Sequence, residues 1–121
     1  MRNLKFRHFD KRLNDFLIFE LNNGRVHIIN SDIESFDIDR KDSPQEQFTG
    51  LTDKNNIDIY EGDIIKHNDR SIKACVVSLV HGCWMAVGND GDRYFKIYWH
   101  LSQVEVIGNI HQNGDMINDN S

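Results

Sequence analysis

Chemistry in this chain would have to come from its histidines, cysteines and paired carboxylates, so their spacing is read first. The six histidines are His8, His27, His67, His81, His100 and His111. None stands four residues from another in an H-E-x-x-H arrangement, and there is no C-x-x-C. His81-Gly82-Cys83 is the nearest thing to a ligand pair. Two ligands in one tight turn are too few for a zinc site. Cys75 and Cys83 invite a disulfide. However, a two-residue turn at His81-Gly82 sets Val80 against Cys83 and Cys75 against Gly88, so two free thiols are expected. Glu61 and Asp63 flank Gly62 as an acidic pair, which reads as turn chemistry because no His or Cys adjoins it.

Other sites fail on similar grounds. Gly88-Asn89-Asp90-Gly91-Asp92 lacks the lysine and the strand-to-helix setting of a phosphate loop. It also lacks the terminal glutamate of a calcium loop. No serine sits in a G-x-S-x-G context. No catalytic, cofactor-binding or metal-binding residue is therefore assigned, no cofactor is expected, and a non-catalytic role is favoured over an enzyme. The remaining candidates are aromatic. Trp84, Tyr94, Tyr98 and Trp99, with Arg93 and Lys96 among them and Lys73 nearby, have the composition of a face that stacks bases or grips a peptide. The competing reading, and the favoured one, makes these aromatics the core filling of a small domain.

The elements that must position these residues read mostly as strands. β-branched and aromatic residues are frequent, Asn and Asp punctuate the apolar runs, and Pro44 is the only proline. Leu4 and Phe6 are expected inward, with Lys5 and Arg7 outward, up to a turn at Asp10-Lys11. The run 16–19 is a strand, Asn23-Gly24 a hairpin turn, and Val26, Ile28 and Ile29 its return. Ile33, Phe36 and Ile38 form a weak strand or irregular edge, and 39–47 a polar connector. The soft boundary falls there, dividing 1–47, an N-terminal β lobe, from 48–121.

The stretch 48–65 carries the densest punctuation. Gly50 suits a positive φ, and Asp53-Lys54-Asn55-Asn56 is a turn cluster in which Asp53 bonds backbone two residues on. Ile57 and Ile59 alternate with Asp58 and Tyr60 as a half-buried strand. Gly62 turns the chain, and Asp63 accepts from the amides that follow. Strands are then expected at 64–66, 72–80, 84–87, around Tyr94, Phe95 and Ile97, and from Val104 to Asn109. His67–Arg70 is a turn, and 98–103 is one turn of helix or 3-10. Short hairpins closed by a single helical turn describe a mainly β domain. Its C-terminal part is a small SH3-like antiparallel barrel, with an N-terminal β-hairpin extension and little helix. The polar tail from Gln112 is expected to fray unless it docks.

Composition bounds the function classes. The 121 residues make one domain's worth of chain, with no repeat and no low-complexity tract. No apolar run reaches about 18 residues, so no membrane contact is expected. The charged start resembles no export signal, and two cysteines make no disulfide framework, so a cytosolic, reducing location is expected. The net charge of −5 argues against nucleic acid as the partner. The charge is uneven: residues 31 to 63 hold ten acids against three bases, whereas 1 to 12 are basic. A protein partner or self-association is therefore expected.

Three blocks resemble the YopX family of phages and prophages of low-GC bacteria. Lys5-Phe6-Arg7-His8-Phe9-Asp10 is similar to its opening K-F-R-x-W-D, with Phe9 where Trp is usual. Phe48-Thr49-Gly50-Leu51, Asp53-Lys54-Asn55 and Ile59-Tyr60-Glu61-Gly62-Asp63-Ile64 resemble its centre, with Asn56 in place of Gly. Val106-Ile107-Gly108-Asn109-Ile110-His111 resembles its close. The resemblance implies a mostly β fold with an SH3-like barrel and a phage or prophage origin. It brings no accepted catalytic residue. It marks Gly50, Asp53, Tyr60, Glu61, Gly62, Asp63, Gly108 and Asn109 as signature positions, read as structural.

Overall fold

Alternation of apolar and polar residues produces antiparallel strands along most of the chain in the computed structural model. The structure describes residues 4–11, 13–22, 25–30, 45–69 and 72–118. The expected edge at Ile33, Phe36 and Ile38 and most of the connector lie outside them. The chain divides into two compact units, Met1–Phe48 and Thr49–Ser121.

In the first unit, β1 (Leu4–Asp10) pairs with β2 (Asp15–Asn22), and β2 with β3 (Arg25–Ile28). The start of β4 (Glu46–Thr52) lies on the other side of β1, with Arg7 opposite Glu46. The register sets Asn22 opposite Arg25, leaving a two-residue connection as expected; Asn23 and Gly24 are outside the described residues. Phe6 stacks on Phe19 at 5.6 Å, and Phe9 meets Phe16 edge-on at 5.2 Å.

The inward and outward assignment of β1 is corrected. Leu4 is exposed and Arg7 is buried. Alternation predicts a face but not what covers it. Here Glu46 offers a carboxylate 2.9 Å from Arg7 Nε, and the Phe16 ring lies 4.1 Å from the guanidinium. A buried charge needs such a partner.

The second unit holds the end of β4, beside β5 (Asp58–Tyr60), and a meander of β6 (Asp63–His67), β7 (Cys75–Val80), β8 (Cys83–Val87) and β9 (Arg93–Lys96). A 3-10 turn (Ile97–His100) leads to β10 (Val104–Asn109), which returns to pair with β6. The sheet order is β10-β6-β7-β8-β9. Its core is Ile59, Ile65, Cys75, Val77, Ala86, Phe95, Ile97 and Val104. Each such aliphatic contributes about 1.5–3 kcal/mol by leaving water.

The domain is mainly β with little helix, as expected. The ladder, however, stays open: β9 and β10 are the outer strands, and the 3-10 turn between them sends Ile97 into the core. At His81-Gly82 both residues have positive φ, 51° and 80°, and Val80 pairs with Cys83 as the two-residue turn requires.

Several local expectations are corrected. His67 is not in a turn; it ends β6, buried. β7 starts at Cys75, not Ile72. Ile57 is exposed, because the turn governed by Asp53 reaches it. Asp63 accepts the amide of Tyr60, which precedes it in the chain, at 2.8 Å. The tail does not fray from Gln112. It turns over Asn109 into α1 (Asp115–Asn118) and buries Ile117.

Candidate functional site

Three elements of the second unit bring the expected aromatics together. The 3-10 turn has three residues per revolution, so Ile97 and His100 share one face while Tyr98 and Trp99 point elsewhere. Ile97 is fully buried; Tyr98 is 65% and Trp99 72% exposed. Their rings meet edge-to-face at 5.7 Å and 86°. Trp84, the second residue of β8, is half-buried and rests on the core, as does Leu51 of β4. Thr49, Leu51, Gly82, Cys83, Trp84, Lys96, Tyr98 and Trp99 line one open concavity of 370 Å³.

Four of the six expected face residues therefore converge: Trp84, Lys96, Tyr98 and Trp99. Arg93 and Tyr94 do not join them. Arg93 is exposed on β9. Tyr94 lies over Gly88, where a Cβ would come within 2.5 Å of its ring, and lines a separate 200 Å³ hollow with Lys73, Asn89 and Asp90. Partial burial, then the charges of Asp90 and Asp92 and the nearby Cys75, push the Tyr94 phenol up. The favoured core reading of the aromatics is overturned for Tyr94, Tyr98 and Trp99, which are exposed. Adjacent positions of a 3-10 turn cannot all face one core.

The concavity holds one charged side chain, Lys96, and no carboxylate. The indole N–H groups of Trp84 and Trp99, the Tyr98 hydroxyl and the Lys96 ammonium make no hydrogen bond or ion pair among the described residues. They are donors available to a ligand. Thr49, Leu51 and Cys83 complete the lining, and sequence reasoning did not single them out for it. Cys83 was reachable, since the hairpin register puts it next to Trp84; Thr49 and Leu51 had no local signal.

The titratable groups are arranged for structure. His67 Nε2 and His100 Nδ1 lie 3.1 Å apart, and Asp69 N–H donates to His67 Nδ1 at 3.1 Å. Phe95 packs edge-on against both rings. Sequence spacing missed this pair, because it forms only when the 3-10 turn passes the end of β6. Among the described residues no group of three or more His, Cys, Asp or Glu could hold a metal. Both cysteines are free thiols; burial, then the charge of Asp90, pushes the Cys75 thiol up to about 11.

The signature residues each have a backbone duty. Gly50 and Gly62 hold φ of 83° and 87°, and Asn56 holds 63°. Asp53 Oδ1 accepts Asn55 N and Ile57 N, and Oδ2 accepts Val106 N. Tyr60 is buried and Glu61 half-buried beside Gly62, whose N–H donates to Val77 O and whose carbonyl accepts Ile110 N. Asn109 is buried; its Oδ1 accepts His111 N and Gln112 N. At Gly108 a Cβ would stand 2.6 Å from Asn113 Oδ1, so any larger residue there must displace the Asn113 side chain.

The fold is similar to two solved structures. Protein EF1440 from Enterococcus faecalis is 23% identical, with a TM-score of 0.61 over 94% of this chain and 97% of that one. Protein yopX from Bacillus subtilis is 18% identical, with a TM-score of 0.53 over 93% of this chain and 96% of that one. No curated protein matches the sequence. The model of the YopX protein family matches residues 5–118, and the chain, with its signature glycines, asparagines and aspartates all engaged in the fold, belongs to that family.

Proposed function

We propose that this protein works by binding, without catalysis, and that its second unit grips a protein partner in the concavity lined by Trp84, Lys96, Tyr98 and Trp99. One observation carries the reading: Tyr98 and Trp99 spend two large rings on solvent, 65% and 72% exposed, beside a hollow lined by unused donors. Exposed aromatics grouped at a concavity are the usual mark of an interaction site. Four chemistry-bearing side chains are otherwise occupied. Asp53 and Asp63 accept backbone amides, and His67 and His100 bond each other. The order of strands β10-β6-β7-β8-β9 with its 3-10 turn supports an SH3-like reading of the sheet. The resemblance of the three sequence blocks supports a phage or prophage accessory role in the bacterial cytoplasm.

Nucleic acid is the second reading, favoured by the same rings through base stacking. Charge weighs against it: from Thr49 to Ser121 ten acidic side chains face six basic ones. The test is affinity capture from prophage-induced cells, with nuclease treatment, using the native chain and a Tyr98→Ala/Trp99→Ala variant. A nuclease-resistant protein lost with the variant supports the reading. Capture unchanged by the variant, or only nuclease-sensitive capture, overturns it.

A further inference from the structure

The geometry points to a defined occupant for this concavity: an extended, proline-bearing peptide segment with a carboxylate flank. This rests on the binding reading above and adds the chemistry of the partner.

Neither β8 nor the 3-10 turn can take on an added strand. β8 is already paired on both sides, by β7 and by β9. The 3-10 turn offers no ladder of N–H and C=O groups to a neighbour. An occupant lying between Trp84 and the Tyr98-Trp99 pair must therefore be held by side chains. A polyproline II segment suits that, because it has no internal hydrogen bonds and its carbonyls are free to accept. The available donors are the two indole N–H groups and the Tyr98 hydroxyl, none of which bonds to another described residue. Rings nearly perpendicular to each other, at 86°, form walls against which a pyrrolidine ring can lie. The half-buried Trp84 and Leu51 supply an apolar floor.

Charge sets the flank. Lys96 is the only ionised side chain in the lining, it is exposed, and it has no partner among the described residues. It attracts a carboxylate and repels the lysines and arginines that aromatic faces would otherwise draw by cation–π attraction.

The chain reports its own occupancy. It has two tryptophans, and both line the concavity. The experiment is a tryptophan-fluorescence titration of the full chain with a short blocked peptide carrying Pro-x-x-Pro followed by Asp-Asp. The controls are its Pro→Ala form, its Lys-Lys-flanked form and oligothymidylate. A saturable change with the acidic proline peptide is expected. It should weaken about tenfold, 1.4 kcal/mol, when both prolines become alanine or when Lys96→Glu is introduced. Trp99→Ala, at an exposed position with unchanged circular dichroism, should abolish it. No saturation, equal binding of the alanine or lysine peptides, or a salt-sensitive response to oligothymidylate alone overturns the inference. If a partner lost with Tyr98→Ala/Trp99→Ala is captured while the acidic proline peptide fails, only the occupant assigned here falls. If both fail, the binding reading falls with it.

Discussion

The carboxylate of Asp53 accepts the amide of Val106 at 2.9 Å, across 53 positions of sequence. Its other oxygen accepts Asn55 N and Ile57 N, at 2.8 and 2.9 Å. One buried side chain thus shapes a turn and fastens it to β10. Asp53→Ala leaves three amides without that acceptor. Each costs about 1–3 kcal/mol if it stays dry, so a loss of roughly 3 kcal/mol or more is expected, partly relieved by water at the turn. Asp53→Asn keeps one acceptor oxygen and should cost less, about 1–2 kcal/mol. Urea unfolding of the three proteins checks the order, and an unchanged midpoint for Asp53→Ala would contradict this account of the signature.

The two cysteines should behave differently. Cys75 is 1% exposed, with its thiol pushed up to about 11 by burial and then by Asp90, while Cys83 lines the open concavity. A thiol reagent at pH 8 should modify Cys83 alone in the native protein and both cysteines in denaturant. The linkage has a definite sign. A raised acid gives stability that is complete below its unfolded value of 9.0 and fades as pH rises through about 11. Stability should therefore fall by something on the order of 2 kcal/mol across that window, by an amount that Cys75→Ala removes. A native chain whose two thiols react at equal rates would refute it.

The His67–His100 contact fixes two tautomers. Asp69 N–H donates to His67 Nδ1, so the His67 hydrogen sits on Nε2 and points at His100 Nδ1. His100 then carries its hydrogen on Nε2. Long-range nitrogen–proton correlation spectra at neutral pH should show both rings in the Nε2–H form. His100→Ala should cost about 1–3 kcal/mol, because a buried N–H loses its acceptor. An Nδ1–H form on His67 would break the chain of donors.

What the sequence disclosed follows the range over which each residue acts. Gly50, Asn56 and the His81-Gly82 turn were legible because a positive φ is a demand of one or two residues on their own backbone. The hairpin register followed from that turn, and so did the separation of the cysteines. Burial of Arg7 was not legible, because Glu46 reaches it from a strand 39 positions away. Nor was the exposure of Tyr98 and Trp99. A run of four apolar or aromatic residues reads as core until the 3-10 turn assigns only Ile97 and His100 to one side. The concavity itself depends on β4, β8 and that turn meeting in space, which no window of sequence contains.

The close of the signature makes the sharpest claim about packing. A Cβ on Gly108 would fall 2.6, 2.8 and 2.9 Å from Oδ1, Cγ and Cβ of Asn113. The last of these belongs to the root of the side chain, so rotation of Asn113 alone does not clear it. Asn113 Oδ1 also accepts Asn109 N at 3.2 Å, and Met116 N donates to Asn113 O at 2.9 Å. Gly108→Ala should therefore displace Asn113, loosen α1 and expose Ile117, costing about 1–3 kcal/mol. Asn113→Gly removes the clash along with the cap. If steric conflict is the cause, Gly108→Ala should cost clearly less in the Asn113→Gly background than in the native one, a coupling of about 0.5 kcal/mol or more. Additive costs in a double-mutant cycle would mean that Gly108 is required for some reason other than the approach of Asn113.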